Sequence, residues 1–216
     1  PQLDKEGDQV SRSGDLVSPL RFLMEIVMNL DYLPTGLYKE GHMLPTPETL
    51  DLWRTLKETT DYKSILEIGL NAGHSAAIQL ELFPDIKLVS LDVGRHKITL
   101  EAVKTLSERF PDRFESILCH STPYANRVIR GEYPAPEVDA VFIDGGHTER
   151  DVVNDLDFCK WLGVKDVFVD DTNSSVVSHV LRRFVDNGSI YTVQDYPYEC
   201  QGVQWKHNKV THIRFN

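Results

Sequence analysis

The stretch Ile65-Leu66-Glu67-Ile68-Gly69-Leu70-Asn71-Ala72-Gly73-His74-Ser75 decides how this chain is read. An apolar run ends in an acid, passes through a turn of small residues and enters a helix start. That is a strand–loop–helix unit with room for a small ligand at its turn. Gly69 and Gly73 let the backbone approach a ligand without a Cβ in the way. The helix that follows offers free N–H groups to an anionic group. The nearest pattern is the dinucleotide fingerprint G-x-G-x-x-G, and the chain does not match it. It reads G-L-N-A-G-H-S, with Asn71 in the middle and Glu67 ahead of the first glycine. A carboxylate there suits an ammonium and repels a pyrophosphate. The expected ligand is therefore a zwitterion with an amino group.

A second strand, 87–92, ends in Asp92, about 20 residues after the glycine turn, where an acid accepts hydrogen bonds from ribose hydroxyls. A third, 114–119, runs into His120 and Ser121, small polar groups able to edge an adenine. Beyond residue 63 strands and helices alternate. Strands are expected at 64–68, 88–92, 114–119, 140–144 and 166–170, and helices at 75–82, 98–110, 123–129, 149–161 and 175–185. Such alternation implies parallel strands with right-handed crossovers. Two strands without a helix between them, 190–194 and 210–215, close the chain. Ligands of open α/β sheets bind beyond the carboxyl ends of the strands, and five of these strands end in Glu67, Asp92, His120, Asp144 or Asp170.

At these residues the chain resembles the class I S-adenosylmethionine-dependent methyltransferases. Within them it is most similar to the small-molecule O-methyltransferases of the catechol and macrocin types. The resemblance runs from about Asp61 to Phe215 on E-I-G-x-N-x-G-x-S, then L-D, then F-I-D-G-x-H. It implies a Rossmann-like, doubly wound, mainly parallel seven-stranded α/β sheet with a C-terminal antiparallel strand pair and helices on both faces. It implies a domain at 61–216 behind an N-terminal tail and helical cap at 1–60. Glu67, Gly69, Asn71, Gly73, His74 and Ser75 would surround the methionine end of the cofactor. Asp92 would hold the ribose, His120 and Ser121 the adenine edge, and Asp144 would border the same pocket.

The strand ending in Asp144 leads into Gly145-Gly146-His147, and the next ends in Asp170-Asp171. If these strands are neighbours, Asp144, Asp170 and Asp171 converge, and three carboxylates repel one another unless a cation joins them. Hard oxygen ligands suit Mg²⁺, with Ca²⁺ or Mn²⁺ as alternatives. In the resembling enzymes a divalent ion holds the acceptor hydroxyl beside the sulfonium methyl, lowering its pKa and orienting it. The catechol-type enzymes carry Asp-Asn at the second metal strand. Here the pair is Asp-Asp, as in the macrocin branch, with Asn173 beyond. The alternative reading of Asp171 or Asn173 is a cap of the helix near Ser175. His147 stands where the catechol-type enzymes place a lysine base, and a histidine can do that work near neutral pH. Its alternatives are ligand contact or capping the helix near Thr148.

Length fits one domain with a terminal extension. A net charge of −10 disfavours nucleic acid and anionic membrane surfaces as partners. The partner expected is a small-molecule methyl acceptor, with a homo-oligomer as a further expectation because the N-terminal cover contacts a second subunit in some resembling enzymes. Cys119, Cys159 and Cys200 are far apart and form no C-x-x-C pair, so a reducing, cytoplasmic setting is expected. No signal peptide or membrane-spanning run is read. A polar tail at 1–15, a helix at 20–30, a loop at 31–45 and a helix from Pro47 behind a Thr46 cap complete the N-terminal part. Tyr198 and Trp205, in an expected loop at 196–206, are read as packing or pocket residues. Three rival readings stay open: a nicotinamide-dependent oxidoreductase, a cofactor-binding module without turnover, and a nucleic-acid or protein methyltransferase, of which the acidic charge disfavours nucleic acid.

Overall fold

The computed structural model describes residues 28–34, 42–201 and 207–216. Its elements are β1 (His42–Met43), α1 (Pro47–Thr60), β2 (Ser64–Ile68), α2 (His74–Leu82), β3 (Lys87–Asp92), α3 (Lys97–Arg109), β4 (Phe114–Leu118) and α4 (Ser121–Ile129). They continue as β5 (Ala140–Ile143), α5 (Glu149–Leu162), β6 (Asp166–Val169), α6 (Ser175–Asp186), β7 (Ile190–Gln201) and β8 (His207–Phe215). The sheet order is β1-β7-β8-β6-β5-β2-β3-β4. Strands β2 to β6 pair in parallel, and β8 inserts antiparallel between β6 and β7. This is the expected seven-stranded, doubly wound sheet, with two-residue β1 added at its edge.

The order follows from the side chains. β5 and β6 are buried along their whole length, and β2 everywhere but its first residue. Continuous apolar runs of this kind belong in a parallel sheet covered on both faces. Alternate residues feed different cores. Phe142 and Phe168 join Trp53, Leu56, Ile78 and Leu106 on the face of α1, α2 and α3. Val141 and Val167 join Tyr124, Val152, Leu156 and Val180 on the face of α4, α5 and α6. Trp53 meets Phe142 edge-on, with ring centroids 5.1 Å apart. Caps fix two of the helices. Thr46 and Thr148 accept from Thr49 N and Asp151 N at the starts of α1 and α5, and Asp61 and Gly163 close their ends in the left-handed region.

The chain leaves β2 for β3 and β4, then returns to place β5 on the other side of β2. This reversal is a topological switch point, where α/β sheets open a crevice at their carboxyl ends. Glu67 and Asp144 flank it.

Three expectations change. The loop at 196–206 is strand as far as Gln201, because Tyr196, Pro197 and Tyr198 pair with Val210, Lys209 and Asn208. Residues 28–34 are not helical, and the rest of the expected helix at 20–30 lies outside the described residues. The expected loop at 31–45 contains β1, and its part at 35–41, like the tail at 1–15 and Trp205, also lies outside them. The 28–34 segment is nevertheless anchored. Leu33 is buried, Tyr32 donates to Glu81 Oε1 at 3.1 Å, and the Arg109 guanidinium lies 4.2 Å from the Tyr32 ring centroid.

Candidate active site

The glycine turn is built by close packing. A Cβ on Gly69 would sit 2.1 Å from the Asp144 carbonyl oxygen, and φ there is +96°. A Cβ on Gly73, at φ +80°, would sit 2.9 Å from Leu106 Cδ1 of α3. Gly69 is therefore required by approaching backbone, and Gly73 by its positive φ beside a Leu106 side chain that would have to shift, whatever ligand the turn also serves. Asn71 takes φ +49° between them, a conformation asparagine tolerates better than most residues.

Glu67 is fully buried at the end of β2. Ser75 Oγ, in the first turn of α2, donates to Glu67 Oε1 at 2.5 Å. Its other oxygen, Oε2, has no hydrogen-bond partner among the described residues. Burial pushes the carboxyl up to about 8, the Ser75 bond opposing and the Asp92 charge adding to it. A buried acceptor without a donor is costly, and an ammonium would satisfy it. His74 follows Gly73 at the first position of the helix, half-buried.

Asp92 organises the turn from the next strand. Its Oδ2 accepts from Leu70 N at 2.9 Å and Asn71 N at 3.2 Å, and its Oδ1 from Gly94 N at 2.7 Å. A carboxylate has about four lone-pair directions, so one remains for a ribose hydroxyl. His120 caps α4 through Nδ1, which accepts from Thr122 N at 3.3 Å, and its ring is exposed enough to edge a ligand. Ser121 behaves otherwise. It is buried and hydrogen-bonded to Asp155 on α5, so it ties α4 to α5 and does not present its hydroxyl freely to a ligand. Asp155 is 1% exposed, and burial raises its carboxyl to about 7, with the Ser121 bond opposing and Asp151 adding.

The acids of the second half are sorted by direction. Ligand atoms of Asp144, His147 and Asp171 all lie within 4.8 Å of one another. Asp170 was expected among them, but it is buried and points elsewhere. Its Oδ2 accepts from the Tyr198 hydroxyl at 2.6 Å and its Oδ1 from Asp171 N at 2.8 Å. Both lie beyond the end of β6, and Asp171 turns into the left-handed region at φ +53°, which separates the two carboxylates. His147 Nε2 lies 2.6 Å from Asp171 Oδ2. Burial raises the Asp170 carboxyl, with the Asp171 charge adding to the effect. Burial also pushes Asp171 up, but His147 and Asn208 outweigh it and hold that carboxyl below its ordinary value.

Asn208 and Asp155 carry no motif. Asn208 Nδ2 donates to Asp171 Oδ1 at 2.5 Å and to Tyr198 at 3.0 Å, a role created by β8 lying between β6 and β7. Tyr198, read as packing or pocket, is a buried hydrogen-bonding member of this group. His212 is fully buried against Asp166 at 2.7 Å, and Arg214 Nε reaches the same oxygen at 2.6 Å, at the start of β6, far from the switch point.

Residues 66–169 match a family model described as a methyltransferase domain. Solved structures share the fold at low identity. The O-methyltransferase TomG from Streptomyces achromogenes, in complex with SAM, is 18% identical, with 81% of this chain and 82% of that one covered and a TM-score of 0.58. An O-methyltransferase from Bacillus cereus, in complex with SAH, is 15% identical over 86% of both chains, with a TM-score of 0.62. The SAH-bound methyltransferase PaMTH1 of Podospora anserina is 14% identical over 80% of this chain and 82% of that one, with a TM-score of 0.57. No curated protein matches by sequence. The matched segment reads as a methyltransferase domain, and the fold around it is that of S-adenosylmethionine-dependent methyltransferases. Its fold is that of the O-methyltransferases.

Proposed function

We propose that this enzyme methylates a hydroxyl of a small molecule, with a divalent cation held beside the cofactor. The observation that carries the reading is the pairing, across the switch point, of Glu67 with an open buried oxygen and the Asp144–His147–Asp171 group. S-adenosylmethionine supplies an activated methyl on its sulfonium. Glu67 Oε2 is placed to accept from the cofactor's ammonium, and Asp92 to take a ribose hydroxyl. A divalent cation at the second group lowers the pKa of a hydroxyl and orients it. Asp144 and Asp171 bring the carboxylates such a cation needs. Methyl transfer is an in-line displacement, so alignment of acceptor and cofactor supplies much of the rate. The net charge of −10 supports a small acceptor over nucleic acid. Among the described residues no helix is long and apolar enough to cross a membrane.

Two measurements test this. In the free protein Glu67 holds its proton to about pH 8, while the unfolded chain loses it near 4.5. The native state thus binds the extra proton between these values, and the stability this group contributes falls as pH rises through that window. An ammonium beside the carboxyl favours its charged form. Binding of S-adenosylhomocysteine should therefore release up to about one proton per site and tighten as pH rises towards 8. Calorimetric titration in buffers of unlike ionisation enthalpy measures the release, and Glu67→Gln should abolish it. Binding with no proton release in wild type would remove Glu67 from the ammonium site. Second, transfer of a labelled methyl to a panel of small hydroxylated acceptors should stop in EDTA and return with a divalent ion. Turnover unchanged by EDTA would retain the methyltransferase and discard the metal.

A further inference from the structure

We propose that the imidazole of His147 is a direct ligand of the cation, completing a nitrogen–oxygen set with Asp144 and Asp171 from which Asp170 is excluded. The inference rests on the metal reading above and specifies its donors. Asp170 has both oxygens engaged, by Tyr198 and by Asp171 N, and is 5% exposed. Tyr198 is held in turn by Asn208, whose amide also fixes Asp171 Oδ1. Tyr198 and Asn208 are thus positioning residues. They turn one carboxylate inward and leave Asp171 Oδ2 facing His147 at 2.6 Å.

The loop carrying His147 is equally constrained. A Cβ on Gly146 would sit 2.6 Å from Asp151 Oδ2, so the backbone there lies against the Asp151 side chain of α5. Thr148 caps that helix one residue later. Asp144 and His147 thereby flank the short Gly145-Gly146 segment, and their ligand atoms and that of Asp171 fall within 4.8 Å of one another. Ligand atoms about 2.0–2.3 Å from a common ion lie up to about 4.5 Å apart, so closing on an ion needs only small side-chain adjustments. The donor type has a consequence. Mg²⁺ favours oxygen ligands and retains its waters, whereas imidazole shifts preference towards transition metals. Mn²⁺ accepts both donor types and should displace Mg²⁺ at the site by about tenfold in affinity or more.

The test uses Mn²⁺ alone with the full chain. Its binding is followed by electron paramagnetic resonance, and nitrogen coupling to the bound ion by electron spin-echo envelope modulation. Bound Mn²⁺ should show ¹⁴N modulation that converts to ¹⁵N when histidine alone is labelled, which needs no substitution. The modulation should vanish in His147→Ala and persist in Asp170→Asn. Bound Mn²⁺ without histidine coupling overturns the proposal and leaves the metal reading standing. So does coupling that survives His147→Ala, or loss of Mn²⁺ in an Asp170→Asn protein that melts like wild type. Failure to bind any Mn²⁺ overturns the metal reading along with the proposal.

Discussion

Gly69→Ala should destabilise the protein by about 3 kcal/mol or more, lowering its melting temperature by roughly 6–12 °C for a chain of this size. Two costs combine. The residue has φ +96°, a region that side-chain-bearing residues rarely adopt. Its new Cβ would also fall 2.1 Å from the Asp144 carbonyl oxygen and 2.6 Å from the carbonyl carbon. The obstacle is backbone and cannot rotate away. It directly follows β5, which is locked to β2, and Asp144 N itself donates to Ile68 O at 2.8 Å. Relief requires β2 and β5 to separate at the switch point, so loss of cofactor binding should accompany the loss of stability. Gly131→Ala isolates the first cost. Its φ is +73°, and a Cβ there would meet nothing within 4 Å. Conformational strain alone costs about 1–2 kcal/mol. Melting curves of the two variants should differ by the price of the clash, and equal melting temperatures would refute the packing account of Gly69.

Much of this fold is legible from patterns that physics makes redundant. A central parallel strand is buried on both faces, so β2, β5 and β6 appear as unbroken apolar runs, and their observed bounds fall within a residue of those expected. The far end of β7 is different. Pro197 interrupts the run, and a proline cannot donate to a ladder on both sides. It is tolerated because the other neighbour of β7, β1, pairs only at Cys200 and Gln201. That vacancy is a property of the assembled sheet, and no local pattern announces it.

The site shows the same division. Residue types and strand-end positions are enough to bring Glu67, Asp92 and Asp144 to one edge. They do not reveal what each atom faces. The glycines read as space for a ligand, yet their Cβ positions are filled by the Asp144 backbone and by Leu106. Ser121 reads as an adenine edge, yet its bond goes to Asp155, which becomes its neighbour only when α4 packs on α5. Asp170 and Asp171 read as a pair, yet one step along the backbone sends them to different partners. The sequence reading had them converge; that they part, and which one faces the crevice, is decided by Tyr198 and Asn208, 28 and 37 residues away in the chain.

Asp92→Ala should weaken S-adenosylhomocysteine binding by about 10²–10³-fold, or roughly 3–4 kcal/mol. The carboxylate does two jobs at once. Its three accepted bonds fix Leu70, Asn71 and Gly94, and so hold the turn in one conformation before any ligand arrives. Its remaining lone pair is, in the function proposed, the acceptor for the ribose. Removing it leaves backbone donors unpaired, each costing up to a few kcal/mol where water cannot replace the partner, and takes a hydrogen bond from the ligand. Asp139 provides a control from within the molecule. Its Oδ2 also accepts three bonds, from Lys63 N at 2.7 Å, Ser64 N at 2.9 Å and Ser64 Oγ at 3.1 Å, at the opposite end of β2. Asp139→Ala should therefore lower the melting temperature while leaving cofactor affinity within about threefold, because its bonds serve the sheet alone. Calorimetric titration of both variants, paired with their melting curves, separates the two roles. If Asp92→Ala binds as tightly as wild type, Asp92 is a turn-holding residue and the ribose rests elsewhere. If the two lose affinity equally, the loss comes from global loosening of the sheet. Only a deficit confined to Asp92→Ala places the cofactor at the carboxyl ends of β2 and β3.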